Sequence, residues 1–325
     1  MKNFEWVQPE TVADAVSALG HNGAMALAGG VDLLDRLKER LENPTRLVSL
    51  RKLPGLDALE VTSGGAKIGA NVTLARLASD PALRKSHPII GDAASHAATP
   101  QLRAMATLGG NLAQRPRCWY FRSQDFACRK KGGTTCFAQE GDNSNHAIFG
   151  NKLCAATHPS TIVTALMALE ARVAIAGKRP REVELANFFI APETDLKREV
   201  DLQPGELITH VIVPPSQSFM RTAYRKEVAK QSFDWPLVDV AVALAMEGRI
   251  CRKATIVLGA VAPTPRRATE AEKSLAGVTV DVIAAGKAAR LALAGATPLA
   301  HNDYKVPILQ VVLARTILAA AGSKS

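Results

Sequence analysis

Four of the five cysteines, Cys118, Cys128, Cys136 and Cys154, fall within a 37-residue window near the middle of a 325-residue chain. The surrounding segment, about 115–157, is crowded with Arg115, Arg117, Arg122, Arg129, Lys130 and Lys131. It carries glycines at 132, 133, 141 and 150 and almost no periodic apolar pattern. It reads as a long loop, and such a loop inside a compact domain needs something to hold it. Disulfides are the plain answer, but the N-terminus, Met1 to Trp6, shows no signal-peptide pattern, and disulfides rarely persist in a reducing compartment. Zinc sites favour Cys-x2-Cys to Cys-x4-Cys knuckles, whereas here the gaps are nine, seven and seventeen residues. An iron–sulfur cluster needs only four converging thiolates, and nearby cations would offset its negative charge. Spacing favours iron–sulfur but leaves zinc, disulfides and unrelated cysteines open. His146 and His158 lie near the window and are expected to meet solvent or backbone rather than metal. Cys251, at the start of an expected strand, reads as a buried small hydrophobe.

Composition narrows the class. Hydrophobic residues at 47% and charged residues at 22% are ordinary globular usage, and the length suits two or three domains. No run approaches the apolar length that crosses a bilayer, so no membrane role is expected. The net charge of +10 permits nucleic acid, an acidic partner or an anionic ligand. Aromatics at 5% are poor for a base-stacking surface, and no zinc-finger or basic-zipper pattern occurs, so nucleic-acid binding is not expected. Without a signal pattern the cytoplasm is the default location; export with a signal-bearing partner would place the chain in the periplasm.

Two glycine pairs suggest an anion site. In Met25-Ala26-Leu27-Ala28-Gly29-Gly30-Val31-Asp32-Leu33 a short apolar run reads as a strand, the glycines as a sharp turn, and Asp32 onward as an amphipathic helix through Leu34, Leu37 and Leu41. Backbone N–H groups at such a junction point outward, and glycine lets a pyrophosphate approach them. The second pair lies in Thr107-Leu108-Gly109-Gly110-Asn111 and on its own reads as a turn. Neither matches a Rossmann or P-loop fingerprint.

Alternating strands and helices to about residue 215 suggest an α/β or α+β region in two lobes. Thr11 is expected to cap a helix; 46–50 reads as a strand, and 59–62 with 67–70 as a hairpin. Helices are expected near 74–79, 89–97 and 160–171, and a strand at 172–176. Pro214-Pro215-Ser216-Gln217-Ser218 reads as a linker. Beyond it come three strands, near 220–229, 237–246 and 250–261, and then three helices, an α+β arrangement.

In order along the chain stand Ala28-Gly29-Gly30-x-Asp32-Leu33, Gln101-x-Arg103-x-x-x-Thr107-x-Gly109-Gly110-Asn111, Pro159-Ser160, Gly205-Glu206-Leu207-Ile208 and Tyr224-x-Lys226. Together they resemble the FAD-binding medium subunit of the molybdenum hydroxylases, which include xanthine dehydrogenase, carbon monoxide dehydrogenase and aldehyde oxidoreductases. The resemblance covers essentially the whole chain. It implies an α+β fold: a two-lobed FAD-binding domain of the PCMH type at 1–216, then at 217–325 a smaller domain with a three-stranded antiparallel sheet and a helix bundle. The cysteine segment stands where most members have a short connection. It resembles the branch with an additional [4Fe-4S] cluster, closest to the PaoABC-type aldehyde oxidoreductases.

That resemblance implies FAD held by residues 25–33 and Thr107 to Asn111, with Leu108, Gly109 and Gly110 between. It places Lys226 near the flavin, Ile208 against the nucleotide, Gln114 at the entrance to the cluster loop, Thr161 at a cofactor-facing position, and Cys118, Cys128, Cys136 and Cys154 on the cluster. No residue of this chain is implied as catalytic. The implied partners are a large molybdenum-cofactor subunit, a small [2Fe-2S] subunit and an external electron acceptor. Three departures stand out: members usually carry Thr at Val31 and Asp at Thr161, and xanthine dehydrogenases an aromatic near Ala97, so FAD is expected to be held less tightly. A reductase-like member with reversed electron flow stays open. From other classes, so do a zinc-stabilised nucleic-acid binder and a cofactor-free scaffold subunit.

Overall fold

A computed structural model describes residues 2–230 and 233–322. The first lobe alternates strand and helix: β1 (Glu5–Val7), α1 (Val12–Leu19), β2 (Ala24–Leu27), α2 (Leu33–Lys38) and β3 (Arg46–Ser49). The three strands form a parallel sheet in the order β1-β3-β2. Thr11 caps α1 by accepting from the Asp14 amide, as the sequence predicts. Leu33 and Leu37 of α2 pack on Leu27 and Leu47 of the strands.

The second lobe is built on an antiparallel sheet with the order β4-β5-β8-β6-β7. Its strands are β4 (Leu59–Thr62), β5 (Gly65–Gly69), β6 (Arg172–Ala176), β7 (Arg181–Glu184) and β8 (Leu207–Val213). Between β5 and β6 the chain runs through α3 (Leu74–Ser79), α4 (Pro81–Ser86), α5 (Pro88–Ser95), α6 (Pro100–Met105), α7 (Leu108–Leu112), α8 (Trp119–Arg122) and α9 (Thr161–Ala168). The sequence reading misses α6 and sees only a turn at α7. Each is opened by a threonine cap, Thr99 before Pro100 and Thr107 before Leu108, so the second glycine pair lies inside the first turn of a helix. The cysteine segment is irregular, as expected, apart from α8 and one 3₁₀ turn at Arg129–Lys131.

The C-terminal region contains β9 (Met220–Glu227), β10 (Val238–Glu247), β11 (Ile250–Gly259), β12 (Arg266–Arg267), α10 (Thr269–Leu275), β13 (Val278–Thr279), α11 (Val282–Ala292) and α12 (Lys305–Ala321). The three long strands pair antiparallel as expected, and β12 and β13 add two-residue edges to β11. Along β10, Val238, Val240, Val242 and Leu244 face the core under the helices, while Ala241 and Ala243 face the other way into the second lobe's core. A strand buried on both faces reads as one continuous apolar run, which is how this one looks in the sequence. Cys251 is fully buried in the same core.

Candidate functional site

The two glycine pairs meet. The turn after β2 packs against the corner between α6 and α7 so closely that a Cβ on Gly29 would lie 1.9 Å from the Met105 carbonyl oxygen. Gly30 has φ +77°, a left-handed conformation that glycine adopts without penalty. Gly109 packs against Ala70, whereas a Cβ on Gly110 would meet only the Thr107 hydroxyl oxygen at 3.0 Å. Gly29 is therefore required by the protein's own packing, and Gly110 is the one that leaves space open.

Between these turns lies an open-mouthed cavity of about 200 Å³. Ala26 to Leu33, Thr107, Gly109, Gly110, Asn111, Gln114 and Ile208 line it. Met25, Leu108, Thr161 and Lys226 lie outside this cavity: Leu108 is buried in the core and Met25 packs on the first-lobe core. Among the described residues, none accepts a hydrogen bond from the backbone N–H groups of Gly29 through Leu33. A concave row of free N–H groups at a glycine turn suits a pyrophosphate, which carries negative charge and needs donors. Arg36, Asn71 and Glu206 also line the cavity, and the sequence reading assigns them nothing. Only Arg36 had a local signal, its place one turn after Asp32.

Thr161 is buried at the start of α9, beside the Tyr224 hydroxyl, which makes no well-formed hydrogen bond. The carboxylate at this end of the molecule comes from β10: Asp239, fully buried, accepts from the Thr164 hydroxyl at 2.9 Å. Burial pushes its pKa up to about 7, against the opposing hydrogen bond from Thr164 and the positive charge of Lys226. Lys226 stands opposite Asp239 across the β9–β10 pair and donates to the His96 carbonyl. Ser160 caps α9 and donates to Asn111, which ties the Pro-Ser motif to the second glycine motif.

Asp32 does not cap α2. It lines the cavity, yet its carboxylate pairs with Arg36 at 3.0 Å, Arg117 at 2.9 Å and Arg122 at 2.6 Å, and accepts from the Arg115 amide. Burial works to raise its pKa, but Arg117, Arg36 and Arg122 outweigh it and hold the carboxyl below the usual range. Arg117 is pushed down to about 10, chiefly by burial. Arg115 pairs with Glu42 and Glu199, and Lys130 with Glu199. The arginines expected to offset a cluster's charge are thus engaged by carboxylates of the first and second lobes, and they lash the cysteine segment to the glycine turn.

The four loop cysteines are free thiols and border one small further cavity, of about 20 Å³, with Tyr120, Phe121, Arg129, Lys130, Phe137 and Leu153 among its walls. Burial, and then the proximity of the other thiols, raise the pKa of Cys118 to about 12 and of Cys154 to about 11; Lys130 opposes this at Cys154. Among the described residues no three Cys, His, Asp or Glu side chains stand close enough to hold a single metal ion. His158 bonds backbone, as expected, accepting at Nδ1 from the Ser160 amide. His146 departs from the expectation: its Nε2 lies 3.2 Å from Cys118 Sγ.

The chain matches two family models in tandem, the FAD binding domain in molybdopterin dehydrogenase over residues 2–216 and the CO dehydrogenase flavoprotein C-terminal domain over residues 222–320. It is 35% identical to the aldehyde oxidoreductase FAD-binding subunit PaoB of Escherichia coli strain K12, with both chains fully covered. It is 29% identical to the carbon monoxide dehydrogenase medium chain of Afipia carboxidovorans, covering 97% of this chain and 96% of the other. The crystal structure of quinoline 2-oxidoreductase from Pseudomonas putida 86 superposes with a TM-score of 0.76 at 27% identity, over 99% of each chain. Full-length likeness, two matching domain models and an N–H-lined cavity between paired glycine turns make this chain a member of the FAD-binding medium-subunit family of the molybdenum hydroxylases.

Proposed function

We propose that the chain is the electron-transferring subunit of such an enzyme, carrying electrons between a small [2Fe-2S] subunit and an external acceptor. A large molybdenum-cofactor subunit would carry out the substrate chemistry. The observation that carries this reading is the cavity between the two glycine turns. Flavin supplies the exchange between single-electron and paired-electron transfer that such a post needs. In this chain the amides of Gly29 to Leu33 would hold the pyrophosphate, Gly110 would leave it room, Ile208 would pack against the nucleotide, and Thr161 and Lys226 would face the ring side. No general base or nucleophile is required of it.

The four loop cysteines would hold a [4Fe-4S] cluster, the polynuclear centre that suits four thiols around one space, with Arg129 and Lys130 in the cavity wall. The E. coli relative is named for an aldehyde oxidoreductase, and its identity to this chain makes an aldehyde the favoured substrate class of the assembled enzyme.

The test is an absorption spectrum and cofactor assay of anaerobically purified protein. One FAD per chain with a thiolate–iron band is expected. Cys118→Ser, Cys128→Ser, Cys136→Ser and Cys154→Ser should each lose iron and keep most FAD, and Cys251→Ser should keep both. Iron retained in two or more of the loop variants would refute the ligand set, and a colourless protein would refute the function.

A further inference from the structure

We propose that His146 donates a hydrogen bond from Nε2 to the sulfur of Cys118, and that this bond, braced by the C-terminal domain, makes the cluster easier to reduce. The inference rests on the cluster reading just given.

The contact is direct, 3.2 Å from Nε2 to Sγ. The ring is buried, and its other nitrogen, Nδ1, makes no well-formed hydrogen bond, although the Asn143 carbonyl lies close to the ring; a ligating thiolate has no proton to give, so the contact at Nε2 is attractive only with the proton there. A neutral imidazole carries one proton and one lone pair. An orphaned buried N–H is rarer in proteins than an under-used acceptor, because the donor loses its whole hydration when unpaired. The proton therefore belongs on Nε2, facing the sulfur, and the histidine is the donor.

The ring is also fixed in place. Trp119 packs edge-on against it, with centroids 5.1 Å apart at 81°. The His146 amide donates to the Asn143 carbonyl, and the His146 carbonyl accepts from Asn302 Nδ2 at 3.2 Å and from Lys305 Nζ at 3.1 Å. Asn302 and Lys305 are fully buried residues at and just before the start of α12. The donor thus sits in the cysteine segment, while two side chains of the C-terminal domain hold its backbone.

A hydrogen bond to a ligating thiolate draws off negative charge, and it does so more effectively once the centre has gained an electron. The reduced form is stabilised and the potential rises. His146 is a positioning and tuning residue; it ligates nothing.

The experiment is an EPR-monitored redox titration of the full-length, cofactor-loaded protein as wild type, His146→Phe and His146→Gln, with iron assayed in each. Phe fills the site without a donor, and Gln restores an N–H of similar reach. The phenylalanine variant should keep its iron and shift the reduction equilibrium about tenfold toward the oxidised form, which is 59 mV for a one-electron couple. The glutamine variant should recover most of that shift. Iron lost in Phe but kept, at near wild-type potential, in Gln would also support the bond. An unchanged midpoint in iron-replete Phe protein, equal shifts in both variants, or iron lost from both would overturn it. Wild-type protein without iron would remove the cluster reading and this inference together; an unchanged midpoint at full iron removes only this inference.

Discussion

Gly29 and Gly110 look alike in the sequence and differ in the structure. A side chain at Gly29 collides with the Met105 carbonyl, while one at Gly110 projects past Thr107 toward open space. Gly29→Ala is expected to destabilise the fold by about 1–3 kcal/mol, the range for forced overpacking, and to lower the thermal midpoint. Gly110→Val should fold with little loss and retain much less FAD, as read by released flavin per folded chain; full flavin occupancy there would show that the turn does not touch the cofactor. The sequence could place both glycines in turns. It could not separate them, because the atom that decides the matter belongs to Met105, far from Gly29 in the chain. Asp32 is similar: it reads in the sequence as the start of a helix and part of the glycine-turn motif, while in the structure three arginines claim its carboxylate. Asp32→Ala leaves Arg117 without its carboxylate, while Arg36 keeps Glu42 and Arg122 keeps Asp35; a buried charge left unpaired typically costs about 3–5 kcal/mol. The substitution should loosen the cysteine segment to limited proteolysis and lower iron and FAD together, unlike the single-cofactor losses of Gly110→Val and the cysteine variants.

Elements with a strong period were legible. The strand at Arg172–Ala176, the hairpin of β4 and β5 and the doubly buried β10 follow from apolar runs bounded by turn residues. α6 and α7 were not, because each is only five or six residues long and their threonine caps are the main local signal. The cysteine segment was legible as a loop with a purpose, but the pairing of its arginines was not, since Asp32, Glu42 and Glu199 come from remote segments. Where it rejoins α9, the segment also carries a pH liability. Burial alone pushes the His158 pKa down to about 3 from the usual 6.5. Below pH 6.5 the unfolded chain protonates this ring and the folded chain does not, so the stability it contributes is present above pH 6.5 and is lost as pH falls toward 3. The slope reaches about 1.4 kcal/mol per pH unit. His158→Asn keeps an acceptor for the Ser160 amide and removes the titration, so its thermal midpoint should fall less than that of wild type between pH 7 and 4. Parallel curves would show that this ring is protonated in the folded state.

Across the whole molecule the domains share more than a linker. Ala241, Ala243 and Val257 of the C-terminal sheet belong to the core of the second lobe. The cysteine segment is bonded to the C-terminal domain through Asn143 to the His301 amide, Asn151 to Thr297, and Ser144 to Tyr304. Calorimetry should therefore record one unfolding transition. Asn302→Ala leaves the Leu299 amide without its partner, while the carbonyls of His146 and Ala147 keep Lys305 and Asn151 as donors. At about 1–3 kcal/mol for a buried unsatisfied group, it should lower that transition or split it in two. The bond from Ser160 to Asn111 joins residues 49 positions apart and draws together the two roots of the cysteine segment. The segment is therefore a closed bight: its neck is pinned at one point, and whatever length of chain lies beyond the neck leaves α7 and α9 where they are. In descent, such a cassette can be lengthened or trimmed beyond the neck, provided Arg115, Arg117 and Arg122 stay to meet Asp32 at the cavity wall.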